Sequence, residues 1–232
     1  ILLHITLLHS IMFLESIMSI RDISFSGGEF MRFIGRAFEL RELEEEYEKG
    51  TFALSVIYGR RRVGKTYLIK EFLKRKEGYY FVALESNALI NLSLLSQAIY
   101  EACGNLKGLP DFQDFEAALR YLFAYAEEHR IVFVIDEYPY LAQSAEHISS
   151  LLQKLIDEYR EKSKLFLILC GSSMSFMENQ VLGYKSPLYG RRTSQLKVQP
   201  FGYLEAAEFV PSYSYRGKAI VYGITGGIAE YL

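Results

Sequence analysis

Apolar residues follow two rhythms along this chain: short, largely apolar runs, and longer stretches in which they return every three or four positions. The short runs are Phe52 to Tyr58, interrupted only by Ser55, Tyr79 to Leu84, Ile131 to Ile135 and Leu165 to Cys170, with Gln195 to Gln199 before Pro200 as a weaker candidate strand. Each has the length of a strand, and a run without polar alternation suits a strand buried on both faces. Glu39 to Lys49 sets Leu40, Leu43 and Tyr47 on one side of a helix among acids, with Gly50 as its stop signal. Helical spacing returns at Thr66 to Lys74, Leu89 to Cys103, Phe112 to His129 and Ala145 to Tyr159, and the breaker-rich Gly104 to Pro110 separates the second and third of these. Strands alternating with helices predict an α/β fold whose mainly parallel sheet is covered on both faces.

Composition narrows the class without changing the fold. Of 232 residues, 50% are hydrophobic and 23% charged, with a net charge of -2, which suits a globular domain and gives no global basic field to attract nucleic acid. Cys103 and Cys170 stand far apart without metal-ligand spacing, and His4, His9, His129 and His147 form no motif, so inert packing is expected of the thiols and no zinc site is expected.

The first thirty residues are treated apart. Ile1 to Ile20 is apolar, but Glu15 interrupts it, no Lys or Arg precedes it and no small-residue cleavage pattern follows. It fits neither a signal peptide nor a firm membrane span, and no membrane contact is expected. The codons of Gly27, Gly28, Glu29 and Phe30 can read GGAGGTGA just ahead of the ATG of Met31, as a ribosome-binding site does. Met31 is therefore expected to be the start, with residues 1–30 translated upstream DNA or a disordered leader.

The chemistry begins at Gly59-Arg60-Arg61-Arg62-Val63-Gly64-Lys65-Thr66, two glycines around four residues followed by Lys and Thr, with Tyr67 next. This P-loop pattern falls between a buried strand and a helix, where backbone N–H groups and the helix N-terminus face phosphate oxygens. Gly59 and Gly64 permit backbone that a Cβ would obstruct, Lys65 brings positive charge to the β and γ phosphates, and Thr66 offers a hydroxyl to magnesium. Arg60, Arg61 and Arg62 have four open roles: nucleotide, partner, DNA or solvent. Ile131 to Ile135 then delivers Asp136 and Glu137 at a strand's carboxyl end, Asp136 to hold magnesium and Glu137 to orient and deprotonate the attacking water. A carboxylate beside the metal ligand favours hydrolysis over transfer to a substrate.

Phe33-Ile34-Gly35-Arg36, the P-loop, Ile135-Asp136-Glu137, Cys170-Gly171-Ser172-Ser173 and Pro187-Leu188-Tyr189-Gly190-Arg191 occur in this order. Together they resemble the archaeal-type ATPase family, relatives of the AAA+ and STAND NTPases, over Met31 to Leu232. The resemblance implies a three-layer P-loop NTPase sandwich with a five-stranded sheet in the order 5-1-4-3-2. It implies ATP and Mg2+ as ligands, a cytoplasmic location, a core over 31–210 and the start of a helical lid over 211–232. Ser172 is similar to the family's polar sensor, and Arg191, with Arg192 as the alternate, to the arginine that reports on or completes a nucleotide site, with a subunit contact as one route to it. Gly35 and Arg36 resemble the segment that passes the adenine. Gly223 to Ala229 resembles the lid motif, which has proline where this chain has Ala229. Members normally continue into a winged-helix segment, so a DNA or protein partner is expected of a C-terminal part beyond Leu232. The expected activity is magnesium-dependent ATP hydrolysis coupled to conformational change; the alternative is a nucleotide-locked switch that binds ATP or ADP with negligible turnover.

Overall fold

A computed structural model describes residues 33–104 and 109–232. The readings for Ile1 to Met31, and the central part of the Gly104 to Pro110 break, lie outside the described residues. Five strands form one sheet in the order β2-β3-β4-β1-β5: β1 Ala53–Tyr58, β2 Gly78–Val82, β3 Val132–Asp136, β4 Phe166–Gly171 and β5 Ser194–Lys197. This is the expected order read from the opposite edge, and every neighbouring pair is parallel. The three central strands are buried along their whole length, whereas the edge strands β2 and β5 are more exposed. Three of the strongly apolar runs form the central strands, which have neighbours on both sides and helices on both faces, whereas Tyr79 to Leu84, expected to be buried alike, forms the edge strand β2 and is only partly covered.

Strand periodicity divides the core into two layers. Phe133 and Ile135 of β3 join Leu54, Val56, Leu167 and Leu169 on one face. They pack with α3 Ala88–Ala102, α4 Phe115–Glu128, α5 Tyr138–Ser144 and α6 Ile148–Tyr159. Val132 and Val134 turn to the other face with Ala53, Ile57 and Ile168, under α1 Ala37–Glu48 and α2 Lys65–Leu73. Successive Cβ atoms point to opposite sides of a strand, so one apolar run supplies both layers. Asn87 and Asp114 cap α3 and α4, their side chains accepting from the N–H of Ile90 at 3.0 Å and of Ala117 at 2.7 Å.

Beyond β4 the chain runs through α7 Met174–Phe176 and a π-helical turn Met177–Val181 to β5. The segment after β5 carries α8 Tyr203–Glu208, α9 Tyr215–Thr225 and a 3-10 turn Ala229–Tyr231, and the Phe201 N–H donates to Gly227 O at 2.8 Å. No helix among the described residues is long and apolar enough to cross a membrane.

The core also stores an alkaline limit. Burial pushes the Cys103 thiol from its ordinary 9.0 up to about 12 and raises the Tyr138 hydroxyl above its ordinary 10.0. Burial and then the Asp136 charge hold Tyr80 well above the same value. The unfolded chain ionises these groups first, so their contribution is complete below pH 9 and is lost as pH rises toward the folded values. The thermal midpoint, followed by circular dichroism, is expected to be unchanged by these groups between pH 7 and about 9 and to fall above it. A midpoint flat to pH 11 would contradict this.

Candidate functional site

Because all five strands are parallel, their carboxyl ends share one edge, and the predicted residues arrive there together. β1 leads into the bend at Gly59, β3 ends in Asp136 and Glu137, and β4 delivers Ser172 just past Gly171. They surround a cavity of about 750 Å³. Arg61, Arg62, Gly64, Lys65, Thr66 and Tyr67 form its floor. Asp136, Glu137 and Ser172 stand on one side, and Phe33, Ile34, Phe201 and Phe209 add an apolar surface.

The bend owes its shape to two glycines for different reasons. A Cβ on Gly59 would lie 2.3 Å from the carbonyl oxygen of Val198, so this position is dictated by the backbone beside it rather than by a ligand. Gly64 sits at φ 92, in the left-handed region that side chains avoid, and opens directly into α2. Val63 is buried in the core under α2 and pins the loop from below. Arg60 is exposed and does not line the cavity.

Lys65 is 8% exposed and its ammonium donates to Gly59 O and Arg60 O, both at 2.9 Å. An ammonium has three donors, so these bonds orient it across the bend with one donor uncommitted among the described residues. Thr66 Oγ1 lies 3.5 Å from Asp136 Oδ2, and the Tyr80 hydroxyl donates to that same carboxylate oxygen. Asp136 Oδ1 accepts from the Glu137 N–H at 2.8 Å. Glu137 itself adopts φ 48, and the Ser172 hydroxyl reaches its two carboxylate oxygens at 3.0 and 3.1 Å. Four non-glycine residues take positive φ among those described, and three of them, Arg36, Arg62 and Glu137, line this cavity. Such backbone costs of order 1–3 kcal/mol each and is retained where the surroundings enforce it.

Arg36 lies at the cavity wall, buried, donating to Val63 O at 2.8 Å and Gln199 O at 2.6 Å, with its guanidinium 4.2 Å from the Phe201 ring centre. Gly35 lies behind it against Phe201 and Glu205. Ala229 lines the cavity beside Gly64. Arg191, like Arg60, stands away from it. Its guanidinium grips Asp157 of α6 through two bonds of 2.8 and 2.7 Å and also donates to Pro187 O at 3.1 Å, so it fastens the β4–β5 connection and does not line the cavity of its own chain. A bidentate carboxylate satisfies the group that the motif assigns to a nucleotide.

Three participants escape sequence reading: Tyr80, the Arg61 to Tyr140 hydrogen bond of 2.9 Å, and the apolar surface from Phe201 and Phe209. Tyr80 had one usable signal. A polar-tipped residue on a strand beside the one ending in Asp136 can reach that acid, but sequence alone does not say which strands are neighbours.

A parallel sheet with a phosphate-type bend after β1 and an acid pair ending β3 defines a P-loop ATPase fold. The chain belongs to the family described as an ATPase domain predominantly from Archaea, whose model matches residues 33–232. An uncharacterized protein of Methanocaldococcus jannaschii is 34% identical over 200 residues, covering 86% of this chain and 43% of that protein, so the chain spans less than half of that relative. Among solved structures, the Walker-type ATPase of Pyrococcus abyssi superposes with a TM-score of 0.64 at 21% identity, covering 91% of this chain and 69% of that one. The Aeropyrum pernix ORC1 protein, solved in complex with DNA, gives 0.55 at 19% identity, covering 86% and 58%. At these identities the likeness concerns the fold.

Proposed function

We propose that this chain binds ATP in the cavity and hydrolyses it with magnesium, with Glu137 as the general base. The observation that carries this reading is Glu137 itself, an ionisable residue kept in left-handed backbone at the end of β3, beside Asp136 and in the same cavity as Lys65. The residues present fit the ligands. The bend and Lys65 offer donors to phosphate, and Thr66 with Asp136 offers the hard oxygen atoms that magnesium prefers. When bound, magnesium would neutralise phosphate charge as a Lewis acid. Glu137 would accept a proton from water as the water oxygen bonds to the γ phosphorus. The bond from that phosphorus to the bridging oxygen breaks, and its electron pair leaves on ADP. Ser172 would hold the carboxylate in position, and Arg36 with the apolar surface would border the base. Coupling to a lid movement belongs to the same reading, since Ala229 and Glu230 line the cavity.

One observation favours the nucleotide-locked switch instead. The Ser172 hydroxyl occupies Glu137, leaving the base engaged within the protein. Turnover of the wild type beside Glu137→Gln, with nucleotide affinity measured in parallel, decides between them. Equal and negligible rates with tight binding would establish the switch.

Tyr80 supplies a smaller test. Tyr80→Phe removes a hydrogen bond to a largely buried carboxylate, worth about 1.5–3 kcal/mol. It is expected to raise the magnesium concentration needed for half-maximal turnover while leaving magnesium-free ADP binding in place. An unchanged magnesium titration would remove Tyr80 from the metal site.

A further inference from the structure

Three consecutive arginines occupy the bend, and their surroundings separate them. Arg60 points to solvent. Arg62 is committed to the segment after α9: its side chain donates to the Tyr231 hydroxyl at 2.7 Å and pairs with the Glu230 carboxylate at 3.2 Å, while its carbonyl accepts from the Glu230 N–H at 3.3 Å. Arg61 differs from both. It lines the cavity, and among the described residues its guanidinium has no carboxylate partner and donates to a neutral group, the Tyr140 hydroxyl. Tyr140 belongs to the first turn of α5, where its N–H donates to Glu137 O at 2.9 Å, so the turn that follows Glu137 also tethers Arg61.

Arg60 does not line the cavity, and the guanidiniums of Arg36 and Arg191 are engaged elsewhere. Arg36 is spent on two backbone carbonyls and Glu39, and Arg191 on Asp157. An exposed guanidinium with no carboxylate partner among the described residues, held on the Glu137 side of a phosphate-type cavity, is available to an anion entering that cavity. The phosphate next to Glu137 is the terminal one in the hydrolysis described above. Guanidinium is suited to it because two parallel N–H groups match two phosphate oxygens.

We propose that Arg61 is a catalytic residue acting in cis, its guanidinium binding the γ-phosphate oxygens of ATP held by the same chain and stabilising the charge that develops as the bond to ADP breaks. This rests on the hydrolytic reading of Glu137. It differs from the resemblance, which assigns the completing arginine to Arg191, with a neighbouring subunit as one route to it. Tyr140 is then a positioning residue that keeps Arg61 on the reacting side when the cavity is empty.

The test uses the full chain as wild type, Arg61→Ala, Arg61→Lys, Tyr140→Phe and Glu137→Gln. Turnover is measured alongside calorimetric affinity for ADP and for ADP with aluminium fluoride, which imitates the phosphoryl group in transfer. Arg61→Ala is expected to lower turnover about 100-fold or more. It should keep ADP affinity and lose the tighter binding that aluminium fluoride confers. Arg61→Lys should recover little, because an ammonium lacks the planar pair of donors. Tyr140→Phe should lower turnover about fivefold, as loss of one hydrogen bond does. Mixing Arg61→Ala with Glu137→Gln chains should restore nothing, since each active site needs both residues from one chain.

Wild-type turnover in Arg61→Ala, or recovery of rate in the mixture, would overturn the cis assignment while leaving the Glu137 reading intact. If Glu137→Gln turned over like the wild type, the hydrolytic reading itself would fail, and with it the assignment of Arg61. If the wild type bound nucleotide without turnover, the hydrolytic reading would fail in the same way, whereas equal affinity of wild type and Arg61→Ala for the fluoride complex would overturn the Arg61 assignment alone.

Discussion

Glu137→Gln is expected to slow ATP turnover by about 10²–10⁴-fold, the contribution of a positioned general base, while leaving nucleotide affinity intact. The substitution preserves shape, and an amide oxygen can still accept from the Ser172 hydroxyl that now reaches both carboxylate oxygens at 3.0 and 3.1 Å. Asp136 retains its own bond to the backbone N–H of residue 137, so the metal-side carboxylate stays oriented. What disappears is the ability to take a proton. Steady-state phosphate release and nucleotide titration on the same preparation separate the two effects. A parallel loss of affinity would point to collapse of the β3 terminus rather than to base chemistry.

Lys65→Ala should act on binding instead. The ammonium is largely buried and already aimed across the bend by Gly59 O and Arg60 O. Truncating one partner of a buried, hydrogen-bonded charge pair costs about 2–5 kcal/mol. That corresponds to an affinity for magnesium ATP weakened by roughly 30-fold to several thousand-fold. Two backbone carbonyls would also lose their donor, so a thermal melt without nucleotide should accompany the titration. Unaltered affinity in Lys65→Ala would remove the phosphate-binding role of the bend, and the proposed function with it.

Sequence reading recovered the features written locally and lost those that depend on neighbours across space. Gly59 to Thr66 and the apolar run into Asp136 are contiguous, and strand-loop-helix context fixes their geometry; hence the cradle and the acids converge as expected. α5 is not among the helices that apolar spacing predicts, and Pro139 stands just inside it. In the fold it occupies the first turn of that helix, where no backbone N–H is required of it. Arg191 is a different case. Its motif is easy to see, but its partner Asp157 lies 34 residues earlier on α6, and nothing in the local pattern announces that contact. Tyr80, Tyr140 and the commitments of Arg61 and Arg62 likewise depend on which segments the sheet order brings together.

That sheet order has a consequence for how the molecule comes into being. β1 is central, yet both of its neighbours come later: Ala53 pairs with Phe166, and the Ser55 and Ser194 hydroxyls meet at a sequence separation of 139. Contacts so distant in sequence are slow to form, because closing long stretches of chain carries an entropic cost before any reward. During synthesis the strand that feeds the cradle must wait, apolar and unpaired, until β4 and then β5 have left the ribosome. Chaperone engagement of the nascent chain should therefore peak after β1 emerges and end only once residues near Lys197 are free, and nucleotide capture should report the completion of folding rather than its onset.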